Sequence, residues 1–359
     1  MSRAAWSFVS VESSGATCGP THRGSRSIRL AKSQTLALVG SESLMGREIR
    51  DLLSETALGQ DLRLVAAEGE EVGKLTVQAG EPALLNPLEG HNLELAGVIL
   101  LAGAVASVGN VRQLAPRTPL VDLTYAAEEL PNARLRAPMV EPAGYQVPAG
   151  SVHVIANAAA IAIALVLGRL HASHRIQHAL AHVFEPASER GAAGVEELQQ
   201  QTIGLLSFKG QPKEVFDAQL AFNMLFRFGE EAPASLEEAE LRIERHLATL
   251  LAVSGGAPIP SLRLLQAPVF HGYAISLWIE FESSPGVVAI EQALEGDSVD
   301  VRSAGTEPPN VVGMAGQSGL AIGAIAADRN NPHAAWLWIV ADNLRLRAEN
   351  AITVAQELL

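Results

Sequence analysis

Cysteine is nearly absent: the chain of 359 residues has one, Cys18. A single thiol excludes an internal disulfide and any multi-cysteine metal centre, so no metal is expected, and it fits a reducing, cytoplasmic setting. Aromatic residues are scarce, at 4%, which argues against the stacking platforms on which single-stranded nucleic acids bind. Positive charge is outnumbered, with 26 Lys and Arg against 39 Asp and Glu for a formal net charge of −13. That field repels a phosphate backbone, so no nucleic-acid partner is expected. Long apolar runs are missing as well. A bilayer span takes about 18 apolar residues or more. The Ala-rich stretch from Ile155 to Leu167 is shorter and contains Asn157; it reads as a buried helix, and no membrane partner is expected.

What is present is enough apolar material for a large core: 48% hydrophobic residues against 18% charged. The length suits two domains rather than one. Residues 1–33 stand apart. They carry Arg3, Arg23, Arg26, Arg29 and Lys32 against one acid, Glu12, with many Ser and Gly. This composition reads as a disordered tail or a non-native extension, with a transit peptide as the remaining reading.

From Thr35 the pattern becomes regular. Thr35 to Val39 is a short apolar run ending at Gly40, and Arg47 to Leu53 has helical spacing, which is the strand, glycine turn and helix that open a dinucleotide-binding unit. Aliphatic runs follow at Leu62 to Ala67, Gly97 to Leu101 and Leu120 to Leu123. Strands alternating with helices predict an α/β fold, a Rossmann-type doubly wound parallel sheet. The Pro- and Gly-rich stretch from Pro138 to Gly150 marks the end of that domain. Beyond it the spacing predicts helices over Ala156 to Leu170, Val195 to Leu205 and Leu236 to Leu251. Strands are predicted at Ile176 to Phe184, Ser261 to Gln266, Ala274 to Phe281 and Trp336 to Ala341, and a last helix at Arg345 to Leu359. This is an α+β unit whose longer strands point to antiparallel pairing. The expected division is residues 34–145 with 345–359 for the dinucleotide-binding domain and 146–344 for a second, dimerisation or substrate domain.

The glycine loop runs from Gly40 through Ser41, Glu42, Ser43, Leu44 and Met45 to Gly46. Glycines in such a loop let the backbone approach a pyrophosphate at a helix N-terminus. Ser43 stands where the middle glycine belongs, and Glu42 puts a negative charge beside the expected phosphate. Taken alone, the loop reads equally as a strand-helix turn that binds nothing. Four segments together are more specific: Leu36 to Gly46, Val183 to Leu198 with its Gly191 and Gly194, Gln266 to Gly272, and Asp342 to Arg345. In order and spacing they resemble aspartate-semialdehyde dehydrogenase, in a divergent branch, over Thr35 to Leu359. The resemblance implies an NADP-binding domain, a catalytic and dimerisation domain, a homodimer, and a last helix returning to the first domain. It also implies a chemistry: a cysteine thiolate attacks the acyl carbon, a histidine serves as acid and base, an arginine holds the substrate carboxylate, and NADPH supplies hydride.

The residues that chemistry needs are replaced. The cysteine position falls on Ala159 or Ala160, after Asn157. The substrate arginine corresponds to Gln266, the catalytic histidine to Tyr273, the glutamine that orients the acyl group to Glu185, and a phosphate-binding arginine to Glu128. His271, two residues before Tyr273, shares its face if the segment is extended, and is the possible substitute base. Where the resemblance implies an Arg-Ser pair on the NADP 2′-phosphate, this chain has Glu68, Glu70 and Glu71 ahead of Gly73. Acids there repel a 2′-phosphate and accept from a ribose hydroxyl, so NAD is favoured over NADP if either binds. The expected cofactor positions are Gly40, Ser41, Ser43, Gly46, Glu70, Gly73, Gly103 and Asn343. His171, His174, His178 and His182 form a run that on a helix could ligate zinc; a strand from Ile176 leaves only His178 and His182 on one face, and a structural or interface role is expected. The combined reading is a dimeric homologue that has lost the family reaction and binds or interacts. The alternative is an oxidoreductase acting on an aldehyde by non-covalent chemistry.

Overall fold

In the computed structural model, which describes Thr35–Leu359, the chain begins with β1 (Leu36–Val39), all four residues buried. The N-terminal extension, with Cys18, lies outside the described residues. Ser43 caps helix α1 (Leu44–Leu53) by accepting from the Gly46 N–H, which satisfies one of the orphan donors of the first turn. A one-turn helix α2 (Ala57–Gln60) leads to β2 (Arg63–Val65). The hairpin β3 (Leu75–Gln78) and β4 (Glu81–Leu84) follows, then the short α3 (Gly90–Leu93). The rest of the unit is β5 (Val98–Leu101), α4 (Ser107–Leu114), β6 (Leu120–Asp122), β7 (Ala133–Arg136) and β8 (Val152–Ile155).

Six of these strands form one parallel sheet in the order β2-β1-β5-β6-β8-β7. One apolar layer covers each face. The first joins Met45, Ile49 and Leu53 of α1 to Leu36, Leu38 and Val98, and to Ala351, Val354 and Ala355 near the C-terminus. The second joins Val111 of α4 to Val39, Ile99 and Leu101. Burial on both faces explains why these strands read as continuous aliphatic runs without alternation. The doubly wound parallel sheet is as the sequence predicts. Strand β8 lies past the Pro- and Gly-rich stretch where the sequence places the domain boundary, yet it pairs between β6 and β7.

Helix α5 (Ala158–Ser173) comes next, buried on almost every side. A helix apolar all round belongs in an interior. This one packs with α7 (Leu236–Val253) and α8 (Val287–Leu294) against a second sheet. That sheet has the order β10-β9-β11-β14-β13-β12. Its strands are β9 (Ile176–Glu185), β10 (Ser261–Gln266), β11 (Tyr273–Phe281), β12 (Val299–Val301), β13 (Leu320–Ala327) and β14 (Ala334–Ala341). A 3-10 turn (Ala187–Arg190) and α6 (Gly191–Leu206) follow β9, and the one-turn α9 (Val311–Met314) precedes β13. The pairing corrects the antiparallel expectation: β9 with β10 and β12 with β13 are parallel, and only the central pairs are antiparallel. Helix α10 (Asn343–Leu358) returns to the first sheet and packs on α1.

Candidate functional site

Asn157 caps α5, its side-chain carbonyl accepting from the Ala159 N–H at 2.8 Å. Ala159 and Ala160 follow in the first turn, and neither is exposed to solvent. The strand edges facing this helix start bring in Glu185 at the end of β9, Gln266 at the end of β10 and Tyr273 at the start of β11. Burial on the inner face of a strand recurs every second residue, so Glu185 and Tyr273 continue the inward rows of Ala181 and Val183 and of Ile275 and Leu277.

Glu185, Gln266 and Tyr273 lie together at the start of α5, and most of their polar atoms pair within this group and its neighbours. Asn157 donates from Nδ2 to the Tyr273 hydroxyl at 3.3 Å, and that hydroxyl donates to Glu185 Oε2 at 3.3 Å. Arg190, from the 3-10 turn after β9, pairs with Glu185 Oε1. Burial pushes the Glu185 carboxyl up, opposed by the Arg190 charge; burial also raises the Tyr273 phenol well above its ordinary value, with the nearby Glu189 and Glu185 adding to it. Tyr273 is therefore a neutral donor at neutral pH. Gln266 donates from Nε2 to the Glu185 carbonyl at 2.8 Å, while its Oε1 is buried with no partner.

A second group joins through α7, whose His246 and Arg242 bring in Glu128 from the connection after β6. The Asn157 N–H donates to His246 Nδ1 at 2.9 Å, so the His246 proton sits on Nε2, which donates to Glu128 Oε1 at 2.6 Å. Arg242 pairs with Glu128 Oε2 at 3.1 Å. Burial holds His246 below its ordinary range despite Glu128, and the His246 and Arg242 contacts hold Glu128 down despite burial. A polar chain thus runs from Arg242 through Glu128, His246, Asn157, Tyr273 and Glu185 to Arg190. Its members His246, Arg242 and Arg190 were missed by sequence reasoning. His246 had a signal: it is a polar residue on the apolar stripe of Ala239, Ile243, Leu247 and Leu250.

His271 does not join. Gly272 has φ of +86° and turns the chain just before β11, so the extended spacing that would align His271 with Tyr273 is broken. Among the described residues no hydrogen bond links His271 to the site.

The glycine loop retains its packing. A Cβ on Gly40 would lie 2.2 Å from the Gly103 backbone, and one on Gly46 would lie 2.1 Å from the Gly40 carbonyl, so the β1 turn, the β5 end and α1 meet backbone to backbone. Ser43 adds to this closure, its hydroxyl lying 2.8 Å from the Gly40 carbonyl and 2.7 Å from that of Ala102. Ser41 is buried with its hydroxyl unpartnered. Glu70 accepts from the backbone N–H of Glu42 at 3.1 Å and of Ala67 at 3.0 Å. Glu42 is held by Arg50 at 2.6 Å and Lys74 at 2.9 Å. Gly73 lies in an exposed turn with nothing close to it. Asn343 accepts from the Gly272 N–H and the Ser188 hydroxyl and donates to Glu189, which ties the last helix to the site loops. A cavity of about 490 Å³ beside β2 is lined by Glu68, Val72, Leu88 and Leu114. Among the described residues no cluster of His, Cys, Asp and Glu suits a metal ion. His178 instead binds Glu280 at 2.8 Å. No helix among the described residues is long and apolar enough to cross a membrane.

Known proteins agree with this architecture. Aspartate-semialdehyde dehydrogenase of Rickettsia bellii is 26% identical, covering 92% of this chain and 99% of its own length. The USG-1 protein homolog of Azotobacter vinelandii is 28% identical, covering 90% and 97%. The structure of a probable aspartate-semialdehyde dehydrogenase from Pseudomonas aeruginosa superposes with a TM-score of 0.77 at 25% identity, over 90% of this chain and 98% of that one. The family model described as semialdehyde dehydrogenase, dimerisation domain, matches residues 167–346. That match takes in half of the sequence, and the chain belongs to the semialdehyde dehydrogenase family.

Proposed function

We propose that this chain does not interconvert aspartate semialdehyde and aspartyl phosphate, and that it serves as a homodimeric binding protein on the inherited fold. The observation that carries this is the filled space at the start of α5. Ala159 and Ala160 offer no nucleophile, and the Tyr273 hydroxyl occupies the gap between Asn157 and Glu185. Gln266 is neutral and fully buried, so it supplies no charge for a substrate carboxylate. Arg190 and Arg242 are each engaged by a carboxylate of the chain itself. The reading is tested by following NAD(P)H formation with purified protein, aspartate semialdehyde and phosphate. No turnover above background is expected. Robust turnover overturns the proposal.

We infer that any dinucleotide this chain takes would sit at the glycine loop. The Gly40 and Gly103 contact keeps the close packing of strand, turn and helix that a dinucleotide-binding unit has, since a Cβ at Gly40 would meet the Gly103 backbone. Glu70 already holds the loop N–H of Glu42, and Glu68 borders the cavity beside β2. Those acids favour NAD over NADP, because one carboxylate near a 2′-phosphate costs about 1–2 kcal/mol at an effective dielectric near 20 after screening. The retained loop packing also supports the second reading, a nicotinamide-dependent oxidoreductase that works without a covalent intermediate. The dimer is expected through the outer face of the second sheet. There His182 and Phe184 of β9, Trp278 of β11, and Trp336 and Trp338 of β14 are half-buried or exposed, which suits an aromatic-rich interface.

A further inference from the structure

The amino ends of β6, β8 and β7 lie at the edge of the parallel sheet opposite the glycine loop, and a cavity of about 320 Å³ opens between them. This volume is at the low end for pockets that hold small organic ligands. Its walls are apolar where Val111, Leu120, Val147 and Val152 face it. Its polar lining is one-sided. Arg112 and Arg117 contribute guanidinium groups, Thr118 a hydroxyl and Asn132 an amide, and no Asp or Glu lines it. That is unusual in a chain with 39 acids against 26 Lys and Arg. Neither arginine makes an ion pair or a side-chain hydrogen bond with another described residue.

His153 supplies the second observation. Only 3% of it is exposed, and it lines this cavity. Its Nδ1 lies 3.2 Å from Arg136 Nη1. Arginine is only a donor, so Nδ1 accepts and the imidazole proton stands on Nε2. His153 lines both this cavity and the neighbouring one that Arg136 lines, and so stands in the wall between them. No hydrogen-bond partner for Nε2 exists among the described residues. A ligand oxygen that reaches Nε2 would accept its proton. Arg136 is itself occupied by Glu141 and Glu357, so it holds the His153 tautomer and leaves ligand contact to Nε2.

We propose that this cavity is a binding site for a small organic anion, a carboxylate or phosphate monoester with an apolar body, held by His153 Nε2–H, Arg112 and Arg117. It is separate from the α5 site and from the glycine loop, and it does not depend on whether the family reaction survives.

The test is calorimetric titration of the full chain with benzoate, phenyl phosphate and, as the neutral counterpart, benzyl alcohol. The anions are expected to bind and benzyl alcohol is not; the tighter of the two anions identifies the headgroup class. Arg112→Glu and Arg117→Glu, both exposed side chains, should each weaken anion binding by about tenfold or more. Lys213→Glu, an exposed charge reversal in the second domain, should leave it unchanged. His153→Phe, which keeps a ring and removes the donor, should weaken binding as well. Anions that bind no better than benzyl alcohol overturn the proposal. So does anion binding that survives both arginine reversals.

Discussion

Asn157 donates to the Tyr273 hydroxyl at 3.3 Å across the start of α5, joining a helix cap to the first residue of a β-strand. The bond fixes the tyrosine so that its proton goes to Glu185. Tyr273→Phe removes this hydroxyl and leaves the Asn157 amide and one Glu185 oxygen buried without it. The expected loss is about 1–3 kcal/mol of folding stability, read by urea denaturation. An unchanged midpoint would mean that water or rearrangement replaces the hydroxyl at no cost.

The proposed cofactor preference rests on the acids beyond β2. Any dinucleotide that binds should show NAD about tenfold tighter than NADP, as one carboxylate opposite a 2′-phosphate is worth about 1–2 kcal/mol. Glu68→Arg should narrow or invert that ratio, since Glu68 borders the cavity beside β2. Glu70 is a poorer target because its carboxylate also holds the Glu42 and Ala67 N–H groups. Titration with the four nicotinamide dinucleotides decides it, and NADP binding equal to or tighter than NAD would show that Glu68 points away from the ribose.

The parallel sheet was legible because its strands are buried on both faces, and Leu36 to Val39 and Val98 to Leu101 read as aliphatic runs for that reason. β8 was not placed: Val152 to Ile155 follows a long Pro- and Gly-rich connection, and nothing local says which sheet it joins. The parallel β9 and β10 pair was hidden likewise, because pairing direction is set by the long connection between them rather than by either strand. At the site, the replaced residues could be located by position along the chain. Their mutual satisfaction could not, because it depends on Arg190 and His246 arriving from a turn and a distant helix. His271 was misjudged by a single backbone angle at Gly272.

The outer face of the second sheet should hold two copies together. Phe184 and Trp338 meet on it as a tilted pair with ring centroids 6.0 Å apart, and an interface core prefers aromatics to charge. Trp338→Glu should shift sedimentation from dimer to monomer at micromolar concentration. A wild-type monomer at that concentration would contradict the assignment.

Acid should weaken the fold through His153. Burial first, and the Arg136 charge second, push it down to about 4 from an ordinary value of 6.5. The unfolded chain therefore takes up a proton at a higher pH than the native one does. Stability from this group is complete above about pH 6.5 and is lost as pH falls toward 4. The interval corresponds to about 3 kcal/mol. Urea unfolding at pH 7 and pH 4.5 should show a smaller acid loss in His153→Gln than in the wild type. Equal losses in the two proteins would show that His153 is free to protonate when folded.

Restoring the nucleophile alone should not restore chemistry. Ala159 and Ala160 are closed to solvent, and a thiol placed there is buried in apolar surroundings that raise its pKa and disfavour the thiolate. The nearest polar groups do not compensate. Tyr273 stays protonated, Glu185 is tied to Arg190, and Gln266 brings no charge. Ala160→Cys, and separately Ala159→Cys, should therefore show no NAD(P)H formation with aspartate semialdehyde and phosphate. In a Cys18→Ser background the introduced thiol should also resist an aromatic disulfide reagent until the protein is unfolded. The informative comparison is the triple variant Ala160→Cys, Gln266→Arg and Tyr273→His, together with its counterpart carrying the cysteine at 159. Tyr273→His removes the hydroxyl that bridges Asn157 and Glu185 and supplies a base, and Gln266→Arg supplies an anchor for a carboxylate. Turnover should return only when all three changes are present. Turnover from either single cysteine variant would mean that the site already contains a working base and anion anchor, and the proposed loss of the family reaction would fail with it.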